Sequence, residues 1–299
     1  MSKFAVLMWR KVFEVADQKR LAKQVQDTSD LHIIRDIKYV DDAEPVKGHL
    51  LDIYQLPNLS ADAPVIIDIH GGGLFASYKE LTCNFNYQWA RMGYRVVSLS
   101  YRLIPETKLW HQIDDIMVAL RFLKKNAEKY KLNLKNCALV RDSAGALLSL
   151  FALSINGSKK LQQDFGIQGA DIPFRAAGFI SIMIDTQRRD VMMAINNVVT
   201  DKDDLGKNYL EYLLDPVLLV KNATLPPVFM VTSAEDLIKK DTLKLERIFA
   251  ENGKKHELLN YPRGKGHILG HVFSVSYPMY TESKQVFEKM DAYFKNQFV

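Results

Sequence analysis

A chain of 299 residues, 47% hydrophobic and 25% charged, has the make-up of an ordinary globular protein and the length for one large α/β domain. Its net charge of +5 is spread over scattered lysines instead of gathering into a stripe, which argues against nucleic acid as a partner. Two cysteines, Cys83 and Cys137, cannot build a disulfide framework, and their apolar surroundings suit buried free thiols in a reducing compartment.

The first thirty residues carry apolar side chains at helical spacing (Val6, Trp9, Val12, Phe13 and Ala16) and read as a helical arm or cap over 1–30. The apolar run from Phe4 to Trp9 is short, is followed at once by charges, and lacks the cleavage site of a signal peptide. No stretch reaches the roughly 18 apolar residues that a membrane span requires. A soluble, cytoplasmic protein is therefore expected, in which the sequon-like Asn156 and Asn222 carry no weight.

From Leu31 the period changes. LHIIRDIKYV and HLLDIYQL alternate like half-buried strands and predict an antiparallel pair opening a sheet. PVIIDIH, YRVVSLSYR, NCALV, AAGFISIMI and LPPVFMVTSA are near-continuous apolar runs, the mark of strands buried on both faces, and KHELLNYP is a last strand. Helices are predicted between them: from Cys83 to Met92, stopped by Gly93; from Gln112 to Tyr130; over AGALLSLFALSI; over DTLKLERIFAENG; and over SKQVFEKMDAYFKNQF. This alternation specifies a mostly parallel sheet of about eight strands, covered by helices on both faces, in a single domain over 1–299. Residues 186–219 break the rhythm with a run of aspartates (Asp201, Asp203, Asp204) and read as an insertion that roofs a cleft.

One joint in this pattern carries chemistry. In Leu139–Ala146 a buried strand runs straight into a buried helix with Ser143 at the turn, resembling the Gly-x-Ser-x-Gly nucleophile elbow. The turn lifts the hydroxyl above the sheet edge, and the N–H of Ala144 lies at the helix N-terminus, where negative charge is favoured. The elbow's first glycine is Arg141 here. A side chain that large is expected to crowd the turn and weaken turnover, so Arg141→Gly is expected to raise activity. Upstream, His70-Gly71-Gly72-Gly73 ends the first buried strand. This is the order of the His-Gly-Gly-Gly loop whose backbone N–H groups form an oxyanion hole, with Gly72 and Gly73 as the donors and His70 as an anchor. Where such an elbow carries a nucleophile, the acid and the histidine are expected after the serine. VFMVTSAEDLI offers Glu235 or Asp236 just past a strand, Asp241 is placed to cap the next helix, and GHILGHVF offers His267 or His271.

Together these segments (HGGG at 70, SYRLIPE at 100–106, Asp114-Asp115, DSAGA at 142, TSAEDLI at 232–238 and GHVF at 270–273) resemble the hormone-sensitive-lipase-like esterases of the α/β-hydrolase fold, near the acetyl-esterase and feruloyl-esterase types. The resemblance implies a helical cap, Asp236 as the acid, and His271, which precedes a small residue and Phe273, as the base. It also implies hydrolysis of short-chain or aromatic acyl esters, a small-molecule ester as partner, and no cofactor. The remaining histidines, His32, His49, His111 and His256, fall outside the expected loop, and no spacing suggests a metal. A homo-oligomer is compatible with the sequence. Two alternatives stand beside this reading: a hydrolase-fold binding protein impaired by Arg141, and a peptidase on the same triad.

Overall fold

The computed structural model describes residues 3–42, 46–186 and 202–299. Part of the predicted insertion, 187–201 with Asp201, lies outside the described residues. The strands are β1 (His32–Lys38), β2 (Leu50–Gln55), β3 (Pro64–Ile69), β4 (Arg95–Leu99), β5 (Asn133–Asp142), β6 (Phe174–Ile180), β7 (Val228–Ser233) and β8 (His256–Tyr261). They form one eight-stranded sheet in the order β1-β2-β4-β3-β5-β6-β7-β8. β1 and β2 form the expected antiparallel pair, and β2 joins β4 antiparallel. From β4 onward all pairs are parallel. Each crossover carries a helix, because parallel neighbours cannot be joined by a tight turn.

The helices are α1 (Lys3–Ala22), α2 (Cys83–Arg91), α3 (Leu109–Lys125), α4 (Ser143–Asn156), α5 (Lys159–Phe165), α6 (Leu210–Leu214), α7 (Leu218–Asn222), α8 (Lys239–Glu251), α9 (Phe273–Ser276) and α10 (Thr281–Lys295). The two-residue period of β3 sorts its side chains between two cores. Val65, Ile67 and Ile69 pack with α3 and α4, and Ile66 packs with α2 and α10. α4 is buried from Ser143 to Ile155, as its apolar circumference requires.

Three readings change. α1 does not bury the expected stripe: Val6 is buried and Trp9 half-buried, whereas Val12 is 51% exposed. The helix is tied down by arginines instead. Arg10 donates to the carbonyls of Phe75 and Ile104 at 2.6 Å each, and Arg20 donates to that of Ser276 at 2.8 Å. α3 starts at Leu109 and ends at Lys125, short of Tyr130, where the chain turns through Lys131 at φ 54°. α8 starts two residues ahead of Asp241, whose carboxylate accepts the backbone N–H groups of Ile184 and Asp185 at 3.0 and 3.1 Å. Asp241 thus holds the loop leaving β6 and does not cap its own helix. The described part of the insertion packs on the body: Tyr209 and Tyr212 meet the Phe165 ring at 5.6 and 5.8 Å.

Candidate active site

β5 delivers Ser143 to the C-terminal edge of the sheet. The serine has φ 50°, a left-handed conformation that a non-glycine residue holds only where its surroundings enforce it. The enforcing contact lies one turn into α4. A Cβ on Gly145 would sit 2.0 Å from the Ile69 carbonyl oxygen and 2.6 Å from that of His70. Only glycine lets α4 press this closely on the end of β3, which is the physical content of the elbow's last glycine.

His271 lies on the loop between β8 and α9, next to Val272 at φ 54°. Its Nε2 is 3.0 Å from Ser143 Oγ, and its Nδ1 is 2.9 Å from Asp236 Oδ1. Asp236, just beyond β7, accepts further hydrogen bonds from Thr232 Oγ1 at 2.9 Å and the Ile238 N–H at 3.0 Å. Burial works to raise its pKa. The His271 hydrogen bond and charge, with the Ile238 and Ser181 donors, outweigh burial and hold the carboxyl below its ordinary value. Glu235, its neighbour, does something else. It accepts the N–H groups of Gly264 and Leu269 at 3.0 and 2.9 Å, bracing the loop that carries His271. His267, the other candidate, turns away: its Nε2 is 2.8 Å from Glu282 and its ring packs on Tyr280.

The glycine loop faces this serine from the end of β3. Gly72 and Gly73 have φ 101° and 63°, and a Cβ on Gly72 would fall 2.1 Å from the Ala76 carbonyl oxygen. The Gly72 carbonyl accepts from Phe75 and Ala76, at 3.2 and 2.9 Å, while the N–H groups of Gly72 and Gly73 donate to no backbone acceptor among the described residues. The Ala144 N–H belongs to the first turn of α4, where helical acceptors are lacking. His70 is fully buried and stacks on Tyr101 at 4.3 Å; its Nδ1 is 2.8 Å from the Gly71 carbonyl oxygen. Burial pushes its pKa down to about 3, so it anchors the loop as a neutral ring.

Arg141 does not crowd the elbow. Its side chain is fully buried, with Nη1 2.5 Å from Asp68 Oδ1, Nε in ionic contact with Asp142, and the guanidinium 5.7 Å over the Phe85 ring. Nε and Nη2 make no hydrogen bond among the described residues. Burial opposes the charge, but Asp142 and Asp68 outweigh it and keep the pKa above the ordinary arginine value. Asp68 is the residue that sequence reasoning missed. A lone carboxylate inside the apolar run PVIIDIH was the available signal, since a buried charge requires a partner.

A cavity of about 230 Å3 opens over Ser143 and His271. Met183, Leu237, Ile238, Val272 and Val275 give it apolar walls, and Phe13, Asp17 and Arg20 of α1 form one side. Among the described residues, no group of three or more His, Cys, Asp or Glu side chains is arranged to hold a metal ion, and no helix is long and apolar enough to cross a membrane.

The chain is similar to known esterases. Carboxylesterase NlhH of Mycobacterium tuberculosis is 26% identical over 226 residues, 70% of this chain and 68% of the relative. Esterase B of Lactobacillus rhamnosis superimposes with a TM-score of 0.89 at 26% identity, covering 98% of this chain and 93% of its own. A second structure of that enzyme, inhibited by a tributyrin phosphonate, gives the same score. An esterase of the bacterial hormone-sensitive lipase family shares the fold at 21% identity with a TM-score of 0.72. The BD-FAE family profile matches residues 51–239, and by that match, which takes in more than half of its length, the chain belongs to the BD-FAE family.

Proposed function

We propose that this serine carboxylesterase cleaves esters of short-chain or aromatic acids through an acyl-enzyme on Ser143, with His271 as general base and Asp236 as its orienting acid. The observation that carries the reading is the unbroken relay from Asp236 to His271 to Ser143, at 2.9 and 3.0 Å, on the floor of an apolar cavity. A carboxylate on Nδ1 fixes the tautomer that leaves Nε2 free to accept the serine proton. Ser143 Oγ then adds to the ester carbonyl, whose electron pair moves onto oxygen and is held by the N–H groups of Gly72, Gly73 and Ala144. Collapse expels the alcohol, which takes the proton from His271, and water repeats the sequence to release the acid. A cavity of about 230 Å3 lies below the roughly 300–1,000 Å3 of drug-sized ligand sites, which suits a small acyl group.

In the same proposal, α1 caps the cavity within a single domain, and the protein is cytoplasmic with Cys83 and Cys137 as free thiols. The hydrogen-bonded triad favours turnover over a binding role. Hydrolysis of p-nitrophenyl butyrate tests the reading. His271→Ala is expected to lose on the order of 10⁴-fold or more in kcat and His267→Ala only a few-fold. The matching anilide is expected to be turned over far more slowly. A dead His267→Ala with an active His271→Ala would reverse the assignment.

A further inference from the structure

The nucleophile and the oxyanion loop are carried by neighbouring parallel strands, but backbone pairing between those strands ends before either is reached. The last register pair of β3 with β5 is Asp68 with Val140. Everything that must be aligned for acyl transfer lies past that point: Gly72 and Gly73 on one strand's exit, Ser143 on the other's. The two side chains at the boundary are Asp68 and Arg141, and they form the buried ion pair at 2.5 Å. Asp68 is itself fixed, because its other oxygen accepts from Asn86 Nδ2 at 2.9 Å and Ser98 Oγ at 2.6 Å. On its other side Arg141 contacts Asp142, and the Asp142 carboxylate packs against Gly71, where a Cβ would come within 2.9 Å of Oδ2.

We infer that Arg141 is a positioning residue: with Asp68 and Asp142 it clamps the ends of β3 and β5 together and so sets the Ser143 hydroxyl against the oxyanion-hole N–H groups. The inference rests on Ser143 being the nucleophile. An arginine where the elbow pattern has glycine is then part of the site. Its guanidinium bridges Asp68 on β3 and Asp142 on β5, which a glycine cannot do and a lysine does only as a point charge. Misplacement near 1 Å in such a site costs about 100-fold, and one lost oxyanion donor about 10²–10³-fold.

The test uses Arg141→Met, Arg141→Lys, Asp68→Asn and the double variant Arg141→Met/Asp68→Asn, each assayed for Tm, kcat, KM and the rate ratio of an ester to its thionoester. Sulfur is a weak hydrogen-bond acceptor, so that ratio reads the oxyanion hole and not global stability. Arg141→Met is expected to lower kcat about 100-fold with KM within about 3-fold, and to shrink the ester-to-thionoester ratio about 10-fold. Arg141→Lys should fall between it and the wild type. The double variant should recover part of the lost Tm, since the buried Asp68 charge is gone and only Asp142 loses its cation, but not kcat or the ratio. A ratio unchanged in every variant, or a kcat that returns with Tm in the double variant, overturns the inference. Asp68→Asn, which keeps the shape, carries the same test if Arg141→Met does not fold. A wild type that turns over no ester would instead sink the nucleophile reading, so the two failures are distinguishable.

Discussion

The glycine loop allows the sharpest single-residue test of the oxyanion geometry. Gly72 holds φ 101°, a conformation L-residues rarely adopt, and the space for a Cβ is already taken by the Ala76 carbonyl oxygen, 2.1 Å away. That oxygen is backbone and is held in a tight turn, since the Ala76 N–H donates to the Gly72 carbonyl at 2.9 Å. Gly72→Ala therefore cannot be relieved by a side-chain rotation. The peptide must rotate, and the N–H of Gly72 or Gly73 leaves its place. Left-handed backbone costs roughly 1–2 kcal/mol and overpacking about 1–3 kcal/mol, so Tm is expected to fall by several degrees. The rate should fall further, by about 10²–10³-fold in kcat, with KM little changed, because the lost donor acts on charge that develops only in the transition state. Steady-state hydrolysis of a p-nitrophenyl ester beside a thermal melt reads both. A Gly72→Ala enzyme with kcat within about 3-fold of the wild type would refute the assignment of this loop.

Two more expectations follow from groups around the triad. Glu235→Ala removes the acceptor for Gly264 and Leu269 and loosens the loop under His271, so kcat should drop about 10-fold or more, with Glu235→Gln less affected; wild-type kcat in Glu235→Ala would show that the brace is idle. His70 stays neutral in the fold down to about pH 3, whereas the unfolded chain protonates it near 6.5, so between those values the unfolded state binds the extra proton. Stability from this group is therefore full above pH 6.5 and lost as pH falls toward 3, by up to about 1.4 kcal/mol per unit; the pH dependence of Tm should be shallower in His70→Phe, and equal slopes would contradict the burial argument.

The strands were readable because burial on both faces leaves continuous apolar runs. A serine at a strand-to-helix joint is commonly a helix cap, and the elbow was readable only together with the glycine loop upstream and the late acid and histidines. Asp236 was readable from chain order with the family resemblance, but not the division of labour with Glu235, which depends on the Gly264 and Leu269 N–H groups of a folded loop. His267 and His271 look alike in sequence. They separate only when Glu282, on α10, engages the first and Asp236 the second. The place of the Arg141 side chain was hidden for the same kind of reason. Its volume is visible in the sequence, while its partner Asp68 lies 73 positions away and is brought near by strand register. The apolar stripe of α1 packs only in part, at Val6, Trp9 and Phe13, because arginine-to-carbonyl bonds, which have no periodicity, also dock that helix.

Covalent trapping tests the central claim most directly. A fluorophosphonate mimics the tetrahedral adduct and needs an activated serine and a donor-lined hole together. One equivalent is expected to attach to Ser143 of the wild type, with Ser143→Ala unlabelled and His271→Ala labelled far more slowly than His267→Ala. Folded wild-type protein that stays unlabelled, or a label mapped to any other residue, would contradict the assignment of Ser143 as the nucleophile.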